Sequence, residues 1–159
     1  MKDNEIKYIS FNKDDSSFQL ILNILLSTDS DFSPPISSKV DIHDISKKYA
    51  EKASVCIAFV NNQPAGLVAY YPNTVPNFSY LSIICVKNEF RGNGIGKTLE
   101  EKCISDCMSI NSRGVRLNMR KSNYKLLNSR LNLGYNIIRE YKNEFSSEII
   151  VDLEYDFKN

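Results

Sequence analysis

Charge of either sign is not in excess. Lys and Arg number 20 against 19 Asp and Glu, a formal net charge of +1, so the basic field that phosphate-backbone binding requires is missing and a nucleic-acid partner is excluded. The same balance leaves no acidic funnel to gather polycations. Metal-ligating residues are scarce as well. His43 is the one histidine, and the four cysteines show no CxxC pair: Cys56 and Cys85 lie in strand-like runs, while Cys103 and Cys107 sit one helical turn apart. No zinc set can be assembled from these, no metal is expected, and free buried thiols in a reducing cytoplasm are the better reading. The apolar run from Phe18 to Leu26 is too short to cross a bilayer, and the charged start MKDNEIK is no secretory leader, so no membrane association is expected. Internal repeats and low-complexity linkers are absent too.

What remains is ordinary globular composition, 42% hydrophobic and 25% charged over 159 residues. That is enough for one domain, residues 1–159, with a core that needs no staples. High usage of Asn, Lys, Ile and Ser gives a bacterial flavour.

Chemistry concentrates between Ser79 and Ile110. Tyr80 to Val86 carries apolar residues on both faces, as a strand buried on both sides does. It passes through Lys87, Asn88, Glu89 and Phe90 into Arg91-Gly92-Asn93-Gly94-Ile95-Gly96-Lys97. Three alternate glycines suit neither helix nor strand interior; they let the backbone turn tightly and aim several N–H groups at one point, where a helix from Lys97 to Ile110 begins. Such a start, flanked by Arg91 and Lys97, favours an anion and most naturally phosphate. A nucleotide P-loop ending at Gly96-Lys97-Thr98 would need a glycine where Arg91 stands, so ATP or GTP is the weaker ligand; a dinucleotide fingerprint would need glycines spaced two then three, and these are spaced two and two.

Around this stretch the pattern gives a short first strand, Glu5 to Ser10, then a helix capped by Asp14-Asp15 and running to about Ser27 with Phe18, Ile21, Leu22 and Leu25 on one stripe. The segment DSDFSPPISSK follows, where two prolines oppose regular structure and Phe32 is read as exposed. Asp41 to Ala53 reads as a second helix; His43, in its first turn with no Ser or Cys constellation near it, reads as a surface or packing residue. Ser54 to Val60 and Ala65 to Tyr71 form a hairpin, and Pro72 to Asn77 is expected to break the sheet before the central strand. Gly114 is read as the end of the third helix, Val115 to Met119 as a strand, Ser122 as cap of a helix from Asn123 to Leu133 ending at Gly134, and Tyr135 to Tyr141 as a strand. Lys142 to Ser147 turns into a last strand with Ile149, Val151, Leu153, Tyr155 and Phe157 on one face. That strand could pair across a homodimer, or be an edge protected by Asp152, Glu154 and Asp156.

The run from Arg91 to Gly96, with Val86 upstream and Phe90 before the arginine, resembles the acetyl-CoA turn of the GNAT superfamily of N-acetyltransferases, patterned Arg/Gln-x-x-Gly-x-Gly/Ala. The element order β-α-α-β-β-β-α-β-α-β-β is also that of the GNAT fold, so the resemblance covers nearly the whole chain. It implies an α/β (α+β) class: a mixed, mostly antiparallel seven-stranded sheet flanked by four helices. It further implies acetyl-CoA as cosubstrate and a primary amine of a small molecule as acceptor. The pyrophosphate would lie on the N–H groups of Gly92, Asn93, Gly94, Ile95 and Gly96 with Arg91 and Lys97, and pantetheine would pair with the main chain of Ile84, Cys85 and Val86, Asn123 lying nearby. Where many relatives carry a tyrosine acid, seven residues past Asn123 and four before Gly134, this chain has Arg130, either a surface charge or a stabiliser of the leaving thiolate. Where relatives carry a glutamate, four residues before Val86, it has Ser82, with Tyr80, Tyr70 and Tyr71 as neighbouring candidates. The stretch from Phe32 to the Lys47-Lys48 helix loosely resembles members that act on amino-sugar nucleotides. A catalytically silent CoA-binding sensor or interaction module is the alternative.

Overall fold

Among the described residues, asparagines outnumber glycines at positive φ. Five of them, Asn61, Asn62, Asn73, Asn77 and Asn111, have positive φ, which their short polar side chains tolerate better than other non-glycine residues do. The computed structural model describes residues 3–158. Among these residues the elements are β1 (Ile6–Asn12), α1 (Phe18–Thr28), α2 (Ile42–Lys52), β2 (Ser54–Val60), β3 (Gln63–Val75), β4 (Phe78–Val86), α3 (Ile95–Ser109), β5 (Gly114–Arg120), α4 (Tyr124–Leu133), β6 (Asn136–Lys142) and β7 (Ile149–Asp156). The hydrogen-bonded strand order is β1-β2-β3-β4-β5-β7-β6. β4 pairs with β5 in parallel, whereas β1–β2, β2–β3, β5–β7 and β6–β7 are antiparallel. The expected class and element order both form.

The chain divides into two compact units. One takes in the chain up to Tyr71 together with Ser82–Ser105; the other holds Pro72–Leu81 and the chain from Asp106 onward.

In the first unit the stripe expected on α1 is the packed one: Ile21, Ile24 and Leu25 have no exposed surface and meet Ile42, Tyr49 and Ala50 of α2 and Val55, Ile57, Leu67 and Ala69 of the sheet. Each fully buried Ile or Leu contributes about 1.5–3 kcal/mol, so this cluster dominates the unit's stability. Only α2 is capped as the sequence suggests; α1 begins after Ser17, which makes no side-chain cap bond, and Asp14 caps the turn before it. Asp14 accepts from the Ser16 N–H at 3.0 Å ahead of a 3-10 turn, Asp15–Ser17, that feeds α1, and Asp41 accepts from the Asp44 N–H at 2.9 Å. Two expectations change here. Phe32 is not exposed but packs against the apolar cluster, because burying a ring outweighs keeping the segment extended. The segment around it also contains two 3-10 turns, Asp29–Asp31 and Ile36–Ser38, tied together where the Ser37 N–H and hydroxyl donate to Asp29 at 2.9 and 2.5 Å.

In the second unit Pro72 to Asn77 does not break the sheet. β3 runs on to Val75, Pro76 and Asn77 (φ 69°) turn the chain, and β4 begins at Phe78 rather than Tyr80. The Ser79 hydroxyl accepts from the Asn73 N–H at 3.2 Å and meets the Ser112 hydroxyl at 2.9 Å. Gly114 is not the helix stop. Asn111 at φ 59° serves that purpose, with the Ser112 N–H reaching back to the Cys107 carbonyl at 3.0 Å. Gly114 instead opens β5, where a Cβ would overlap the Tyr155 carbonyl oxygen and lie 2.9 Å from Phe78 Cε1. The N-cap of α4 is Asn123, without a side-chain bond, because the Ser122 hydroxyl goes to Glu148 at 3.1 Å instead. Gly134, at φ 129°, ends α4 as expected. β7 pairs with both β5 and β6 and so is not an edge strand; β6 ends the strand order.

Candidate functional site

The glycine turn lies in the first unit, and its anchors begin at the end of β4. The Lys87 N–H donates to the Ala65 carbonyl at 2.8 Å and its ammonium to Asn23 Oδ1 at 2.6 Å, which fixes the residue just past the strand against α1 and β3. Gly66 lets β3 come close: a Cβ there would stand 2.7 Å from the Cys85 carbonyl oxygen. A 3-10 turn, Asn88–Phe90, then lifts the chain, and the Asn93 amide donates back to the Phe90 carbonyl at 3.0 Å.

Gly92 and Gly94 have φ of 82° and 72°, with Asn93 between them at negative φ. Alternation of this kind makes successive N–H groups converge on one side, the concavity that binds anions. α3 starts at Ile95, two residues earlier than expected, and its first bond runs from the Thr98 N–H to the Gly94 carbonyl at 3.1 Å. The N–H groups of Ile95, Gly96 and Lys97 therefore have no partner within the helix and point out of its positive end. Ile95 is buried and anchors this end, whereas Lys97 is exposed. Gly96 differs from the other two glycines: its φ is not positive, and a Cβ there would meet Val86 Cγ2 at an ordinary 3.8 Å.

Arg91 is more committed than its place in the turn suggests. Nε donates to the Val86 carbonyl at 3.1 Å, and one terminal nitrogen forms a 2.6 Å ion pair with Asp31. It thus braces the turn against β4 and already carries a carboxylate, and the Val86 carbonyl expected to face pantetheine already accepts one bond. Asp31, sixty positions away, had no local signal in the sequence.

Along the last residues of β4, Ser82, Ile84 and Val86 are half-buried, while Ile83 and Cys85 turn into the apolar cluster. The Cys85 side chain is therefore no part of the site. Burial pushes its thiol up to about 11, against the opposing bond from Thr28. The Ser82 hydroxyl lies 2.8 Å from the hydroxyl of Tyr49 on α2, a residue that sequence reasoning passed over. Tyr71 stands beside Tyr49 at 6.3 Å between ring centroids, and burial raises its phenol.

Tyr80, Asn123 and Arg130 belong to the second unit. Tyr80 accepts from the Asn118 amide at 3.1 Å; burial, then the charges of Tyr141 and Asp152, raise its phenol. Arg130 is not a surface charge. It is 7% exposed and donates to Met119 Sδ at 3.7 Å. His43 packs edge-on against Phe18 at 4.8 Å. It shares the exposed first turn of α2 with Asp41 and Asp44, their ligand atoms within 4.8 Å of one another, though the Asp41 carboxylate is engaged in capping. Among the described residues all four cysteines are buried and outside any disulfide, and no helix is long and apolar enough to cross a membrane.

A family model described as Acetyltransferase (GNAT) family matches residues 19–128, from α1 through the glycine turn into α4. The chain belongs to the GNAT acetyltransferase family. Solved GNAT structures share the fold at low identity. A protein assigned to the GNAT family from Desulfovibrio desulfuricans is 14% identical, with 96% of this chain and 99% of that one covered at a TM-score of 0.76. A chain of the NatC complex bound to Gag peptide and CoA is 20% identical, with the same coverage and TM-score. A protein described as a streptothricin acetyltransferase from Bacillus anthracis, in complex with acetyl coenzyme A, is 22% identical over 69% of this chain and 66% of that one, at 0.61. No curated protein matches in sequence. As a GNAT acetyltransferase the chain is an enzyme of acyl transfer.

Proposed function

We propose that this GNAT acetyltransferase, as one N-acetyltransferase domain over residues 1–159, moves the acetyl group of acetyl-CoA to the primary amine of a small molecule. The observation that carries the reading is the glycine turn: two positive-φ glycines and a helix start whose first N–H groups have no partner within the helix. A pyrophosphate seated there accepts from the N–H groups between Gly92 and Lys97, with the Lys97 ammonium adding charge from the rim.

The chemistry asked of the protein is modest. The Val86 N–H polarises the thioester carbonyl, and a neutral amine attacks it. A carbon–nitrogen bond forms, the carbon–sulfur bond breaks, CoA leaves as thiolate, and the proton lost by nitrogen passes to water. Ser82 can hold the amine but cannot act as its base. Tyr80, whose phenol burial raises, and Arg130 lie in the second unit, and no step is assigned to them. Four buried thiols outside any disulfide fit a reducing, cytoplasmic setting.

A second reading has its own support. Ser82 and Arg130 occupy the positions where the resemblance expects a glutamate base and a tyrosine acid, so a CoA-binding module without turnover is the alternative. Thiol release from acetyl-CoA over a panel of amino-sugar nucleotides, polyamines, aminoglycoside-type antibiotics and peptide amino termini separates them. Turnover with a small amine supports transfer to small molecules, and turnover with peptides alone moves the acceptor to protein. CoA binding with no thiol released from any of them would replace the enzyme with the module.

A further inference from the structure

The strand position that lacks a carboxylate is not simply empty of polar chemistry. Ser82 is a half-buried hydroxyl on the same stretch of β4 as Val86, and its one partner of known geometry is the Tyr49 hydroxyl at 2.8 Å. Tyr49 is 5% exposed on α2, held among Ile42, Ala50 and the sheet residues Val55 and Leu67. Its ring is therefore fixed by packing, and its hydroxyl is aimed by a rigid helix at a strand residue 33 positions away. A phenol is the stronger donor of the two hydroxyls and an aliphatic oxygen the stronger acceptor. Either hydroxyl can donate in this pair, and in both arrangements the Ser82 oxygen keeps a lone pair beyond the one the pair uses.

We propose that Tyr49 is a positioning residue for acetyl transfer, acting through Ser82: it fixes the Ser82 hydroxyl so that the remaining lone pair accepts an N–H of the attacking amine and turns the nitrogen's own lone pair toward the thioester carbon. This rests on the acetyl-transfer reading above. The pair abstracts no proton in this scheme; it restricts the orientation of the nucleophile, a task suited to two neutral hydroxyls. Chemistry that other acetyltransferases give to a carboxylate is here reduced to alignment. The acceptors that suit such a site are amines already neutral in appreciable fraction near neutral pH, such as those of weakly basic amino sugars, rather than strongly basic alkylamines.

The test is steady-state thiol release from acetyl-CoA by the full chain, with glucosamine and with water alone as nucleophiles, for wild type, Tyr49→Phe, Ser82→Ala, Ser82→Thr and the Tyr49→Phe/Ser82→Ala pair. Loss of one neutral hydrogen bond predicts that Tyr49→Phe lowers kcat about three- to tenfold with KM for acetyl-CoA unchanged. Ser82→Thr, which keeps the hydroxyl, retains the rate. Ser82→Ala loses as much as Tyr49→Phe, and the double variant loses no more than Ser82→Ala alone, because one hydroxyl acts through the other. Independent, multiplying losses overturn the inference, as does a Tyr49→Phe enzyme with wild-type kcat. So does a change confined to thermal stability or to KM for acetyl-CoA, which would mark a purely structural contact. If wild type is stabilised by acetyl-CoA but releases no thiol with glucosamine or with any amine of the panel above, the catalytic reading fails together with this inference; if wild type turns over with one of them and only the cycle, run with that amine, fails, the reading stands without it.

Discussion

Replacing Gly94 by valine asks whether the positive-φ backbone of the turn is what holds the cofactor. Gly94 sits at φ 72° with nothing within 4 Å of an added Cβ, so the substitution meets no steric wall and its cost is conformational. A non-glycine residue held in the left-handed region costs about 1–3 kcal/mol, and a β-branched one lies toward the upper end. The turn relieves that strain by rotating away, which re-aims the N–H groups ahead of Thr98. Hydrogen bonds to a charged acceptor are worth about 1.5–3 kcal/mol each. Losing two of them lowers CoA affinity by about 3–6 kcal/mol, a hundredfold or more. The fold itself loses little, since Ile95 and the apolar cluster do not depend on the position, and the melting temperature falls by several degrees at most. Gly96→Ala is the matched control, because its φ is ordinary and its Cβ would meet only Val86 Cγ2 at 3.8 Å. Titration calorimetry with CoA reads both. A Gly94→Val protein that keeps wild-type affinity, or a Gly96→Ala protein that loses as much, would refute the placement of the pyrophosphate.

Asp31→Asn should tighten CoA binding severalfold while barely changing the melting temperature, because a half-exposed ion pair contributes only about 0–1 kcal/mol to stability and the lost carboxylate no longer opposes the pyrophosphate. Weaker binding would instead make Asp31 the group that orients Arg91 for the ligand. Gly114→Ala should cost several kcal/mol in urea unfolding, since its Cβ has only the Tyr155 carbonyl oxygen to move into; an unchanged midpoint would contradict the close approach of β5 and β7. Cys85 should resist a disulfide-exchange reagent at pH 8, where its thiol, pushed up to about 11, is almost wholly protonated as well as buried. Rapid modification of folded protein would mean that the end of β4 opens.

What could be read from the sequence was what local physics decides. The glycine turn was legible because helix starts and positive φ leave marks within a few residues, and α1 because Ile21 and Leu25 repeat at helical spacing. Interactions over long separations left none: Arg91 finds Asp31 sixty positions away, and Ser82 finds Tyr49 across 33. Misplaced boundaries have the same origin. Pro72 and Pro76 look like breakers, yet β3 continues past Pro72 with Asn73 at positive φ, and Pro76 with Asn77 only turns the chain into β4. Gly114 looked like a helix stop because a glycine's local conformational freedom hides a tertiary need, the passage of Tyr155.

The most direct test of the cofactor assignment is thermal unfolding in parallel with acetyl-CoA, CoA, Mg-ATP and NAD. A ligand at about a hundred times its dissociation constant stabilises by roughly 2.7 kcal/mol, a shift of several degrees for a chain of this size. Such a rise with acetyl-CoA and CoA, and none with Mg-ATP or NAD, is the predicted result. A rise with Mg-ATP alone, or none with acetyl-CoA, would contradict the reading of the glycine turn.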